Sequence, residues 1–328
     1  MKKIIYWIKL NLKKKISLRT FLPISIGLFC IYYSFKDINF SDFKELFIGI
    51  DYIWILLGLF LGALSHISRS YRWKFLVDPL GYKLGLKNSI LSVFAAYLIN
   101  YTIPRAGDVA RASIISNYEK IPFEKLIGTI IAERIVDMIC ISLLILISLL
   151  YEFERISEKI ISLLSSINFG SLLIFLITFF VIILLIFRIL KRFNFYKKFS
   201  NFLTGLKSGL TVITRMERKF AFIAHSIFIW LMYVFMFYVT SFAFSDLHGA
   251  NFFHLLISFT LAALSIMFSN GGIGIYPLAV EESLFWYGIE SVNGLAFGWV
   301  MWLSQTIMVI IFGGLSLFIL PFINRENS

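Results

Sequence analysis

Residues 97–137 read YLINYTIPRAGDVARASIISNYEKIPFEKLIGTIIAERIVD, and the predicted organisation of the chain depends on them. It places a set of charges between segments that are apolar enough to cross a membrane. A charged side chain at the bilayer centre costs about 2.5–3.5 kcal/mol on insertion scales. Such charges must pair, face a wet cavity or lie at the interface, and the first two options make this stretch the strongest site candidate. The charges are Arg105, Asp108, Arg111, Glu133, Arg134 and Asp137.

The composition is that of an integral membrane protein. Of 328 residues, 59% are hydrophobic and 15% are charged, and the mean hydropathy is +0.84. A soluble domain is about half apolar and a quarter charged. Cys30 and Cys140 lie inside apolar runs without metal-ligand spacing, so we expect no metal site and no disulfide framework. We also expect no cofactor.

The net charge of +12 is concentrated in residues 2–19, 69–87 and 188–219. In a soluble protein this charge would suggest a nucleic acid partner. In a membrane protein the positive-inside rule explains it, so we predict cytoplasmic segments and anionic lipid headgroups as contacts, with no nucleic acid. Trp73 is expected at interfacial depth.

Hydropathy predicts an all-α protein of the inner (plasma) membrane. The run 21–35 ends without the small residues that a signal peptidase needs, so we expect an uncleaved first span with a cytoplasmic N-terminus. The C-terminus is also predicted to be cytoplasmic. The six predicted spans are about 21–35, 46–67, 126–150, 170–190, 220–244 and 292–320.

Residues 88–118 are predicted to form a re-entrant hairpin. They must enter and leave on one side, because residues 69–87 and the start of the span 126–150 are both predicted to be cytoplasmic. The apolar part is short and breaks at Pro104, with Gly107 three residues later. Asp108 is placed to cap the second helix, 109–118.

A second hairpin is predicted over residues 252–288. The apolar run 252–268 breaks at SNGGIG (269–274) and resumes near Pro277, and no Lys or Arg occurs between Lys219 and Arg325. This hairpin is therefore expected to face outside. Each half then has span, span, hairpin, span in opposite orientation, which is a sequence pointer to a transporter site. Eight full spans are the alternative.

We interpret residues 1–328 as a single integral membrane domain with two halves, 1–151 and 168–324. The segment 191–219 between the spans is predicted to be a cytoplasmic connector. Apolar residues at helical spacing over 195–213 favour an amphipathic helix on the membrane surface, and a plain packed connector is the alternative.

The first hairpin has the chemistry of a phosphate site. A helix N-terminus at membrane depth favours an anion, and Arg105 and Arg111 add planar donors suited to phosphate. Glu133 and Asp137 are four residues apart and share a helix face, with Arg134 at its edge. They are expected to balance the arginines or to bind a cationic headgroup, and a fixed structural ion network is the alternative.

Other candidates carry weaker signals. Arg69 and Arg72 share a helix face, where arginines bind headgroups or snorkel to the interface. The glycine run suits close approach to a ligand or a tight turn. With no catalytic residue among them, the lipid or headgroup candidates are Arg69, Arg72, Asn100, Pro104, Arg105, Gly107, Asp108, Arg111, Glu133, Arg134, Asp137, Asn270, Gly271, Gly272, Gly274 and Glu281.

These motifs resemble the membrane region of the lysylphosphatidylglycerol synthase family, a flippase-like group also found as stand-alone proteins. The likeness rests on Arg69-x-x-Arg72-Trp73, on Asn100 through Pro104-Arg105-x-Gly107-Asp108-x-x-Arg111, on Glu133-Arg134-x-x-Asp137, and on Gly271-Gly272-x-Gly274 with an acidic residue after it.

The resemblance implies a protein that moves a lipid, or its headgroup, between leaflets. In fused relatives the cargo is an aminoacylated phosphatidylglycerol made by an attached synthase, and we expect this chain not to make that lipid itself. The last third differs from the family pattern, because Trp302-Leu303-Ser304-Gln305 stands where an arginine is expected. The cargo therefore stays open.

A lipid translocase, not an enzyme, is the leading hypothesis from the sequence. The chain has no nucleophile elbow, Walker loop or dinucleotide fingerprint. One alternative is a membrane enzyme or subunit acting on polyprenyl-phosphate-linked sugars, since carboxylates beside arginines suit such chemistry. Another is a non-transporting scaffold that partners an envelope lipid-synthesis enzyme. The sequence leaves the oligomeric state open.

Overall fold

The computed structural model describes residues 18–36, 49–103, 106–155, 157–158 and 216–325, and every regular element within these residues is helical. The predicted all-α class is confirmed. In this part of the chain, three helical segments are long and apolar enough to cross a membrane: Tyr52–Leu80, Lys219–Ser241 and Ser291–Ile323. The six-plus-two count stays a prediction, and the predicted span 170–190 and most of the connector 191–219 lie outside the described residues.

The helices follow the apolar runs of the sequence closely. In chain order they are α1 (Leu18–Phe35), α2 (Tyr52–Val77), α3 (Leu86–Thr102), α4 (Gly107–Glu119), α5 (Phe123–Tyr151), α6 (Lys219–Ser241), α7 (Phe252–Ser265), α8 (Ile275–Phe285) and α9 (Ser291–Ile323).

The C-terminal end of α2 extends past the predicted span 46–67. Residues 69–77 form the last turns of this helix, and their cytoplasmic location stays a prediction. The reason is local, because nothing before Pro79 interrupts the helical hydrogen-bond ladder. Pro79 lies in a short 3₁₀ turn, and Gly81 follows with a φ of 81°. The start of α2 is capped by Asp51, whose carboxylate accepts a hydrogen bond from Ile53 N at 3.0 Å.

Contacts divide the chain into two compact units. One comprises Met1–Ile130 with Phe220–Ser328, and the other comprises Ile131–Lys219. The first unit holds α1 to α4, the start of α5, and α6 to α9, while the rest of α5 belongs to the second. The single-domain organisation with halves 1–151 and 168–324 stays a prediction.

Within the first unit, α2 and α6 lie antiparallel. Asp51 N, before α2, donates to Ala243 O, after α6, at 3.4 Å. Near the other end, Ser68 Oγ lies 2.8 Å from His225 Nδ1. Gly62 permits the close approach, since a Cβ atom there would lie 2.7 Å from Met236 Sδ.

The helices α3 and α4 form the first hairpin. At its base, Asn88 Nδ2 donates to Glu119 Oε1 at 2.7 Å, and at its tip Gly107 N donates to Asn100 Oδ1 at 2.7 Å. The first residues of α3 therefore meet the last residues of α4. With 17 and 13 residues, the two helices are about 26 and 20 Å long, shorter than the hydrocarbon core of about 30 Å.

The helices α7 and α8 form a second hairpin of the same kind. His254 in the first turn of α7 stacks on Tyr287, two residues beyond α8, with ring centroids 3.8 Å apart and an interplanar angle of 8°. With 14 and 11 residues, the helices are about 21 and 17 Å long. The connection between them contains Gly271, Gly272 and Gly274, all with positive φ.

The long helix α9 contacts both hairpins in sequence along its length. Its first turns touch α8, because a Cβ atom at Gly298 would lie 2.7 Å from Pro277 Cα. Its far end touches the base of the first hairpin, because Asn324 Nδ2 donates to Asn88 Oδ1 at 2.9 Å. The two hairpins therefore lie along opposite halves of this 33-residue helix.

The hairpin tips meet near the middle of α9. Trp302 Nε1 donates to Gly271 O at 2.8 Å, and one turn later Thr306 Oγ1 donates to Tyr101 OH at 3.2 Å. Gly271 packs directly against the Tyr101 ring, since a Cβ atom there would lie 2.9 Å from Tyr101 Cε1. The hairpins are thus arranged tip to tip, with their bases at opposite ends of α9.

Candidate functional site

Three buried arginines lie within the first unit. The exposed fractions of Arg69, Arg72 and Arg111 are 3%, 0% and 2%. Two come from the end of α2 and one from α4, the second helix of the first hairpin. Burying a guanidinium is costly unless other groups compensate its charge. The snorkelling alternative for Arg69 and Arg72 is therefore wrong, because their side chains are enclosed by protein.

Trp73 connects α2 to the first hairpin. The Cζ atom of Arg111 lies 3.8 Å from the centroid of the Trp73 ring, and Trp73 Nε1 donates to Thr129 Oγ1 at 2.8 Å. A desolvated cation–π contact of this kind contributes about 2 kcal/mol. Trp73 is fully buried among these helices, and its depth in the membrane stays a prediction.

Arg72 is held by α6 instead. Its Nη1 donates to Ser226 Oγ at 3.0 Å, and its Cζ lies 5.5 Å from the centroid of the Phe222 ring. Arg69 precedes Trp73 by four residues and so shares its face of α2. Arg69 and Arg72 are three residues apart and also share a face of α2, so the contact of Arg72 with α6 lies beside that face.

The acidic residues of α5 belong to the second unit. Glu133 and Asp137 are both buried, while Arg134 is partly exposed. Arg134 Nη1 lies 3.4 Å from Asp137 Oδ2, an ion pair between residues three apart on the helix. The prediction that Glu133 and Asp137 balance the arginines or bind a headgroup stays a prediction.

The turn of the first hairpin is described only in part. Pro104 and Arg105 lie outside the described residues. The helix α4 begins at Gly107 with Ala106 at the N-cap position, so the prediction that Asp108 caps a helix starting at residue 109 is wrong. Asn100 Oδ1 accepts a hydrogen bond from Gly107 N, so one of the free backbone donors at the start of α4 has a partner. Asp108 lies in the first turn, where a carboxylate favours the helix dipole.

The glycines of the second hairpin are packing positions. A Cβ atom at Gly274 would lie 2.7 Å from Gly27 O on α1, and one at Gly272 would lie 3.2 Å from Tyr276 Cβ. Only the backbone of Asn270, in a 3₁₀ turn, is described. These contacts account for the glycines by close approach of helices, and a headgroup role for them stays a prediction.

Glu281 lies far from the hairpin tips. Its Oε1 accepts a hydrogen bond from Ser291 Oγ, and a Cβ atom at Gly294 would lie 3.1 Å from Glu281 Cα. Gly294 precedes Thr306 by twelve residues, or about 18 Å along α9. The structure therefore separates Glu281 from the tip contact, toward the end of α9 opposite Asn88.

Sequence reasoning missed three polar partners of this site: Thr129, Ser226 and Tyr101. Thr129 and Ser226 give no signal of their own, since a serine or threonine hydroxyl on an apolar helix also bonds its own backbone, as both do here. Thr129 precedes Glu133 by one turn, and that spacing was the available clue. Within the described ranges, no group of three or more His, Cys, Asp or Glu side chains is placed to hold a metal.

A helical membrane protein with two hairpins packed along one long helix is the class that this arrangement defines. Residues 20–313 match the family described as the lysylphosphatidylglycerol synthase TM region, and the chain belongs to that family. The match contains the arginine motifs and the glycine run.

One similar protein is the UPF0104 membrane protein MJ1595 of Methanocaldococcus jannaschii. It is 33% identical over 87 residues, which is 26% of this chain and 26% of that protein. The match thus covers about a quarter of the relative's length. No solved structure matches the chain.

Proposed function

We propose that this protein is a lipid translocase that moves a phosphate-bearing lipid, or a lipid-linked headgroup, between the leaflets of the inner membrane. The observation that carries the proposal is the set of three buried arginines supplied by α2 and α4. Charges inside a membrane protein are expensive to keep and mark transport pathways more often than they serve packing alone. Membership of a family named for lysylphosphatidylglycerol synthases agrees with a phospholipid as cargo.

The proposed phosphate contact is the guanidinium of Arg111. Its Cζ atom lies 3.8 Å from the centroid of the buried Trp73 ring, and this contact holds the guanidinium in place between α2 and α4. A planar fork of this kind matches two oxygens of a phosphate, which a lysine cannot do. Arg105, six residues earlier, is proposed as a second donor. Glu133 and Asp137, which are buried carboxylates, are proposed to bind the rest of the headgroup.

The hairpin pair supplies the proposed route. Each hairpin is shorter than the bilayer core, and the tips meet near the middle of α9. We take the hairpins to be re-entrant from opposite membrane faces, with six spans around them and both termini in the cytoplasm. Inverted hairpins that meet at the midplane are typical of transporters with alternating access.

The test is a transport assay in proteoliposomes with a fluorescent phosphatidylglycerol analogue, which a membrane-impermeant reductant bleaches only in the outer leaflet. We expect the wild type to increase the bleached fraction over time and Arg111→Gln to slow this at least tenfold. The matched control is Arg155→Gln, since the Arg155 side chain is 55% exposed. A correctly folded Arg111→Gln protein with the wild-type rate would contradict the proposed site.

Lipids that co-purify with the protein provide a second test. Mass spectrometry of the wild type should show enrichment of one phosphate-bearing lipid over its abundance in the membrane. Arg111→Gln should lose that enrichment while Arg155→Gln keeps it. Equal bulk lipids in all three preparations would indicate that the buried arginines are structural.

A further inference from the structure

A groove on the outer surface lies between α2, α3 and α9, apart from the arginine site. Its volume is about 490 Å³, and its wall is almost entirely apolar. Arg69 lies on the opposite side of α2, because it follows Ile67 by two residues, and Trp73 lies one turn after Arg69 on that side. The lining includes Leu64 and Ile67 of α2, Leu91 and Phe94 of α3, and Phe312 and Leu315 of α9.

The groove opens to the lipid-facing exterior of the helices. Ile67, Phe312 and Leu315 are exposed large hydrophobic side chains, whereas Phe94 is buried at the floor. Ser316 is the one hydroxyl residue in the lining. A site of this composition suits hydrocarbon and offers almost nothing to a polar ligand.

Basic side chains lie beyond the end of the groove that is nearer the base of the first hairpin. Lys87 is exposed and precedes Ile90 and Leu91 by three and four residues, so it shares their face of α3. At the end of α9, the Cζ atom of Arg325 lies 4.7 Å from the centroid of the Phe322 ring. Phe322 follows the lining residue Ile319 by three residues and continues the same face.

A third basic residue continues the groove face of α2. Lys74 follows Ile67 by seven residues, which is two helical turns on the same face. Its Nζ lies 5.4 Å from the centroid of the Tyr71 ring. Lys74, Lys87 and Arg325 therefore form a basic rim at one end of an apolar groove, in a region that the positive-inside rule predicts to be cytoplasmic.

We propose that this groove is a binding site for an anionic phospholipid of the cytoplasmic leaflet, with a hydrocarbon chain in the groove and the phosphate at the basic rim. The argument is charge complementarity, because basic pockets beside apolar helix surfaces at the cytoplasmic side bind anionic headgroups. A second copy of this chain, docked by the same face, would bring two basic rims together and repel. The site is independent of the translocation proposal and would hold a resident lipid.

The test compares lipids by native mass spectrometry and thermal unfolding of the purified full chain in detergent. Phosphatidylglycerol should bind the wild type at one saturable site and raise its Tm, whereas phosphatidylcholine and soluble glycerol phosphate should not. The variant Lys87→Gln/Arg325→Gln should bind phosphatidylglycerol about 30-fold more weakly, from two lost basic contacts. High salt should weaken wild-type binding in the same direction.

The matched control is Arg218→Gln/Lys219→Gln, which removes two exposed charges at the start of α6. It should keep wild-type affinity for phosphatidylglycerol. Ala63→Trp fills the groove without changing charge and should also abolish binding, and Ile67→Trp serves the same purpose if Ala63→Trp fails to fold.

Three outcomes would overturn the proposal. Equal loss in the rim variant and the control would mean general attraction to a basic protein. Equal binding of phosphatidylcholine would mean that the rim has no role. Efficient disulfide cross-linking of Ile67→Cys between copies in a lipid-free sample would mean that a second chain covers the groove.

Discussion

The two hairpins have the same construction and different contents. Each consists of two short antiparallel helices whose ends meet at the base, through Asn88 and Glu119 in the first and through His254 and Tyr287 in the second. The first carries buried Arg111, whereas residues 252–288 contain no Lys or Arg. The second instead carries glycines that pack against α1, α9 and Tyr101. The two hairpins therefore share a backbone shape, and basic charge resides in only the first of them, while the second carries Glu281 and Glu282.

The largest expected effect is the loss of the anchor of the first hairpin. Trp73→Ala removes a fully buried indole and the ring beneath Arg111, and we expect destabilisation of about 3–5 kcal/mol together with loss of transport. Unfolding in mixed detergent micelles measures the first and the proteoliposome assay the second. Trp73→Phe keeps a stacking face and should lose about 1 kcal/mol. A Trp73→Ala protein with near-wild-type stability would mean that the first hairpin does not depend on this contact.

The second hairpin is expected to be most sensitive to substitution where it packs against α9. Gly298→Ala places a Cβ atom against the Pro277 backbone, and we expect destabilisation of about 1–3 kcal/mol from overpacking. Gly314→Ala is the control on the same helix, since a Cβ atom there meets nothing within 4 Å. It should be neutral or stabilising by up to about 1 kcal/mol. Similar thermal shifts for both variants would contradict the close packing of α8 on α9.

The tip contact sharpens the comparison, because it belongs to both hairpins. Gly271 has a φ of 65°, so Gly271→Ala should cost about 1–2 kcal/mol for the left-handed conformation alone. The added methyl group would also press on the Tyr101 ring. A role of the tips in gating predicts that Gly271→Ala slows transport by a larger factor than its loss of folded protein can explain. Restored stability in Gly271→Ala/Tyr101→Leu would attribute the difference to this contact.

The smallest effect is expected at the base of the second hairpin. His254→Ala removes the stack on Tyr287 and one member of the capping box with Asn251, and we expect a loss of about 0.5–1.5 kcal/mol. His254→Phe keeps the stack and should recover part of that loss. Hydrogen exchange of the first turn of α7 measures the change. A larger loss of stability in His254→Ala than in Gly298→Ala would contradict the expected order of the two contacts.

Much of the helical organisation could be predicted from residue order. Pro104 and Gly107 mark the break of the first hairpin, and the run from Ser269 to Gly274 marks the break of the second, because proline and glycine act on the backbone locally. The bounds of α3 and α9 agree with the apolar runs to within a few residues. The helix α2 continues ten residues past the apolar run 46–67, because charged side chains do not end a helix and no residue before Pro79 interrupts the backbone.

The helices, their breaks and the positions of the charges can be predicted from the order of residues, since they depend on neighbours within one or two turns. The contacts of Trp73 with Arg111, of Arg72 with Ser226 and of Gly271 with Tyr101 are visible only in the folded protein. Helical periodicity states which residues share a face of one helix. It does not state which face of another helix they meet, because that depends on packing between segments as distant in sequence as α2 and α6.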